Sequence, residues 1–82
     1  MEIRENESLA YGFMVRHMGK KKMIEFGNIL ADECTILGVN PISFFMTGVI
    51  CESLNDAKAS RNIIKSHGFK CSDISECAIP KL

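Results

Sequence analysis

The chain has 82 residues, enough for one domain spanning 1–82 and for a small core without metal or disulfide support. Its composition, 46% hydrophobic and 24% charged, is that of a globular chain and excludes a disordered one. Ten basic and ten acidic side chains give a formal net charge of zero, which excludes a global electrostatic pull on nucleic acid or on an anionic membrane.

In chain order, the first segment, residues 9–18, admits two readings. Asn6 or Ser8 could cap a helix ending at Gly19, with Glu5 and Glu7 near its start and Arg16 and His17 near its end to suit the dipole. The run YGFMV, by contrast, favours a strand, and Gly12 costs a helix about 1 kcal/mol relative to alanine. The second segment, Lys20 to Leu37, reads as a helix. Lys21, Glu25, Asn28, Asp32 and Thr35 mark a solvent face, and Met23, Phe26, Leu30, Cys34 and Leu37 an apolar stripe. Lys21 and Glu25 are spaced as an i,i+4 pair, and Gly38 stands where a left-handed C′ residue belongs.

Asn40 as N-cap and Pro41 at the first helical position launch a third expected helix, Pro41 to Leu54. It is apolar almost all round, with only Ser43 and Thr47 as a polar strip, and so reads as the central buried helix. A fourth, residues 56–67, is capped by Asn55 or Asp56 and ends at Gly68, with Phe69 making the closing apolar contact. It turns Ala57, Ser60, Ile64 and His67 to one side and Lys58, Arg61 and Lys65 to the other. A short last helix, Ser72 to Ala78, is stopped by Pro80. The expected fold is therefore all-α, a compact bundle of four to five short helices around the central apolar one. The alternative is α+β, with an N-terminal strand 9–18 pairing with 69–74.

The stretch ILGVNPISFFMTG, Ile36 to Gly48, resembles the turn of the helix-turn-helix family, with Cys34 as the small residue, Gly38 in the turn, and Val39 and Phe44 inward. It departs from that pattern at Glu33 and Thr47. A ribbon-helix-helix alignment of Lys20 to Leu54 is the other form of the resemblance. Either implies DNA binding, but base edges are read by Arg, Lys, Asn or Gln, and this reading helix offers chiefly Ser43 and Thr47. The candidate nucleic-acid residues are Arg16, Lys20, Lys21, Lys22, Ser43, Lys58, Arg61 and Lys65.

His67, Cys71 and Cys77 have the spacing H-x3-C-x5-C, without the tight cysteine pair of zinc sites, so no metal is expected. A Cys71–Cys77 disulfide is a minor alternative to free thiols. There is no glycine-rich phosphate loop, no H-E-x-x-H and no G-x-S-x-G, so no catalytic residue, cofactor or small-molecule substrate is expected. The acidic start MEIRENES and the lack of an apolar run of about 20 residues argue for a cytoplasmic protein that does not insert in membranes.

What remains is an excess of apolar surface. Leu9–Met18 and Ile42–Leu54 are apolar over most of their circumference, and one small domain encloses only one such helix. Phe13, Met14, Met18, Phe44, Phe45 and Met46 are thus the candidate partner-binding residues, with methionine supplying adaptable contacts. The expected function is that of a small non-enzymatic regulatory, inhibitory or adaptor protein that binds another protein or itself as a homodimer. A dimeric nucleic-acid-binding regulator is the alternative.

Overall fold

A computed structural model describes residues 2–81 of the chain. The elements run β1 (Glu7–Arg16), α1 (Gly19–Glu33), β2 (Gly38–Ser43), β3 (Met46–Cys51), α2 (Leu54–Ser66), β4 (Lys70–Cys71) and β5 (Ser75–Pro80). The fold is α+β, which overturns the expected all-α bundle. The sheet order is β2-β3-β1-β4, and β5 continues the β4 edge by pairing with the first half of β1. Every pairing is antiparallel. Two β-α-β units are therefore interleaved in one sheet, the split arrangement of ferredoxin-like domains.

The alternative with a strand at 9–18 lies closer to this arrangement. β1 meets β4 only at Val15–Cys71 and Arg16–Lys70, and most of its length pairs with β3 and β5. Period two explains why β1 is a strand. Tyr11, Phe13 and Val15 face the helices opposite Cys51, Val49 and Thr47, while Gly12, Met14 and Arg16 turn to the other face. Gly12 fits that second face because a Cβ there would stand 3.2 Å from the Val49 carbonyl oxygen.

The expected central helix at 41–54 is instead the β2–β3 hairpin. A strand apolar on both faces carries the same all-round apolar run as a buried helix. Thr47, Val49 and Cys51 point to the core, and Met46, Gly48 and Ile50 point away. Pro41 is tolerated because β2 is an edge strand. Asn40 and Pro41 are strand residues, so neither the helix-turn-helix nor the ribbon-helix-helix element exists. The expected helix at 72–78 is also replaced, by β5.

Helix α1 stops at Glu33, short of Leu37, and Gly38 opens β2. The left-handed glycines are Gly19, φ +81°, at the entry to α1, and Gly68, φ +90°, after α2. Lys22, rather than Lys21, pairs with Glu25, at 3.5 Å. Helix α2 is capped by Ser53, whose Oγ accepts from the Asp56 amide at 3.1 Å, and not by Asn55 or Asp56. Replacing Ser53 by alanine should cost about 1 kcal/mol, read as a lowered urea midpoint with an unchanged slope.

Both helices cover one face of the sheet. Phe26 and Ile29 of α1 and Ala57 and Ile64 of α2 pack with Phe13, Val15, Val49, Cys51 and Phe69. Among the described residues, no helix covers the opposite face, where Met14 and Arg16 are exposed although Ala10 is buried.

Candidate functional site

The β2–β3 turn carries Phe44 and Phe45, 75% and 49% exposed. They lean on each other edge to face, with centroids 5.2 Å apart. The Ser43 Oγ shapes the turn by accepting from the Phe45 amide at 3.3 Å. The Phe45 carbonyl accepts from the His17 amide at 3.0 Å, which ties the hairpin tip to the end of β1. Met18 follows there, 65% exposed. On the uncovered sheet face, Met14 lies opposite Gly48, and Met46 lies opposite Arg16. Five of the six apolar candidates thus gather around one end of the sheet. Phe13 does not join them: it is 3% exposed and belongs to the core.

The basic candidates divide. Lys20, Lys21 and Lys22 form the first turn of α1, beside Arg16 and Met18. No acid lies in that turn and no side chain caps it, so the positive end of the helix dipole adds to three lysines. Lys58, Arg61 and Lys65 lie on α2. Arg61 is occupied: its Nε donates to the Ser72 carbonyl at 2.7 Å, and its guanidinium reaches Asp73 at 3.8 Å.

Sequence reasoning did not single out Lys70 or Phe69 for this site. Lys70 is the direct cross-strand partner of Arg16, and both line shallow depressions at this end. Only the β1–β4 register reveals that neighbourhood.

The two histidines play structural parts. His17 is 4% exposed, stacks on Phe26 at 5.6 Å and shares a 2.8 Å hydrogen bond through Nε2 with the Thr47 hydroxyl. Its Nδ1 is buried without a partner among the described residues. His67 sits between two carboxylates of α1, with Nε2 3.0 Å from Glu33 and Nδ1 4.0 Å from Glu25. Both contacts run from the end of α2 to α1.

The four cysteines are unbonded thiols. Desolvation pushes all four above the ordinary cysteine value of 9.0. At Cys71 the nearby Arg61 and Lys65 oppose that shift without cancelling it. A protonated thiol is a poor nucleophile and a poor metal ligand, and the described residues contain no cluster of three or more metal-ligating side chains. A thiol whose folded-state value is raised keeps its proton longer in the folded state. That contribution to stability is full below the unfolded value and disappears as pH rises through it toward the folded one. Stability should therefore fall as pH climbs above about 9, and replacing Cys51 by alanine should flatten that decline in urea titrations.

Among the described residues, no helix is long and apolar enough to cross a membrane. Comparison of the chain with protein-family models, curated proteins and solved structures found no match to any of them.

Proposed function

We propose that this is a small non-enzymatic regulatory, inhibitory or adaptor protein that acts by docking another protein against the end of its sheet. The observation that supports the reading is the cluster of Met14, Met18, Phe44, Phe45 and Met46 around the hairpin tip, three of them at least 49% exposed. Rigid aromatic anchors surrounded by adaptable methionines are the composition of a binding surface. Fold alone adds nothing to the argument, since split β-α-β domains host unrelated activities.

The test is affinity capture from host lysate treated with nuclease, using the native chain beside a Phe44→Ser/Phe45→Ser variant. A protein retained by the native chain and lost by the folded variant supports the reading. Equal recovery by both refutes it. Light scattering on the pure protein distinguishes a second copy of the chain from a different partner.

A second reading, nucleic-acid binding, is favoured by Lys20–Lys22 in the first turn of α1 and by the exposed rings of Phe44 and Phe45 on a hairpin tip tied to the end of β1, next to Arg16, through the His17 amide. It requires mobility shifts that weaken steeply between about 50 and 200 mM salt. It also requires that alanine at Lys20, Lys21 and Lys22 removes them. Nuclease-resistant capture together with no mobility shift would eliminate it.

A further inference from the structure

We infer that Arg16 and Lys70, with the apolar depressions on either side of them, receive an acidic segment of the partner protein, one in which a bulky apolar side chain stands next to a carboxylate. The inference rests on the protein-docking reading above and specifies the chemistry of the partner. Four observations lead to it.

First, Arg16 and Lys70 lie directly opposite each other across β1 and β4. Like charges in that position destabilise a sheet, and among the described residues neither has an acidic side chain within ion-pair distance. A carboxylate placed between them would relieve the repulsion and form two charge-assisted hydrogen bonds.

Second, the pair stands between two depressions. One is a cavity of about 210 Å³ walled by Met18, Lys22, Gly68 and Phe69 as well as the pair itself. The other lies on the uncovered sheet face between Met14 and Met46 and shares the same two cations. The first has the volume of one large side chain, and its walls are mostly carbon.

Third, the surrounding field is positive. Lys22 lines the cavity and belongs to the uncapped start of α1, where Lys20 and Lys21 precede it in the chain, and among the described residues the acid that ion-pairs there is Glu25, on Lys22 at 3.5 Å.

Fourth, the Lys22 ammonium lies 4.9 Å above the centre of the Phe69 ring. A nucleobase could not stack on that face without displacing it. An aliphatic or aromatic side chain can instead slide along Met18 and the lysine stem, leaving the cation over the ring. That favours a peptide over a nucleic acid.

The test begins by panning the full-length protein against a random peptide display library. Enriched sequences should carry Asp or Glu beside Leu, Phe or Trp. An enriched peptide labelled with fluorescein should then lose at least about tenfold in affinity, by polarisation, in Arg16→Glu and in Lys70→Glu. Lys70→Glu also turns a like-charge strand pair into an attractive one, so its thermal midpoint should hold or rise while binding falls. A structural role for Lys70 would not give that combination. Should a charge-reversed variant fail to fold, Arg16→Gln and Lys70→Gln carry the same expectation with a smaller loss.

The inference is overturned by no enrichment, by enriched peptides without acids, or by affinities that all four variants leave within about twofold. Tighter binding of a labelled oligothymidine than of the peptide also overturns it, in favour of nucleic acid. If Phe44→Ser/Phe45→Ser loses the lysate partner and Lys70→Glu keeps it, the acidic-segment receptor fails and the docking surface stands. If both keep it, both fail.

Discussion

Truncation of Ile64 to alanine is expected to cost about 3 kcal/mol, a quarter or more of the stability of a domain of this size. Ile64 is fully buried on α2, where it packs among the core residues of the sheet and of α1. A domain of this length is stable by only about 4–12 kcal/mol. Large-to-small changes at such sites forfeit both the transfer free energy and the contacts lining the cavity left behind. The neighbours cannot collapse freely into the space, because Val49 and Cys51 belong to a central strand held by hydrogen bonds on both sides. Urea unfolding followed by circular dichroism should show the midpoint falling with little change in slope. Ile64→Val should cost only about 1 kcal/mol. A loss below about 1 kcal/mol for the alanine variant would mean that α2 is not docked as described.

Serine at both Phe44 and Phe45 is the opposite kind of change. It should reduce partner affinity by about a hundredfold or more, since truncating one anchor of an interface commonly costs 2 kcal/mol or more. Stability should move by only about 0.5 kcal/mol, because both rings lie at an exposed turn. The bonds that shape the turn, from the Phe45 amide to the Ser43 hydroxyl and from the His17 amide to the Phe45 carbonyl, do not involve either ring. Titration calorimetry against the captured partner, paired with a thermal melt, separates the two effects. A melt lowered by more than about 5 °C would mark the rings as structural.

The buried Ile64 and the exposed Phe44 and Phe45 differ in how far their placement is legible in the sequence. Helix α2 could be read closely, because Ala57, Ser60 and Ile64 follow one helical stripe and Gly68 supplies the left-handed ending. Among the apolar candidates, Phe13 is the one that the structure buries in the core. Its neighbours Gly12 and Met14 face away from the core, an assignment that needs the strand period rather than the helical one. The hairpin was lost for a related reason. Asn40-Pro41 is a strong helix-start signal, and nothing local shows that β3 pairs with β1 on one side and β2 on the other. Tertiary pairing overrode a local preference there. Arg16 could be seen as a cation, while its position opposite Lys70 depended on a register between residues far apart in the chain. The strand alternative for 9–18 and 69–74 contained that neighbourhood in outline.

The position of β1 has a consequence for how the protein is made. Its first half pairs with the last strand, Glu7 with Pro80, and its second half pairs with β3. During synthesis, β1 leaves the ribosome before β3 and β5, with both edges bare, and the sheet cannot close until β5 has followed it out. Such distant pairings make folding slow relative to a helical bundle. Throughout that interval, the segment YGFMV can pair with the same segment of a neighbouring nascent chain on the polysome.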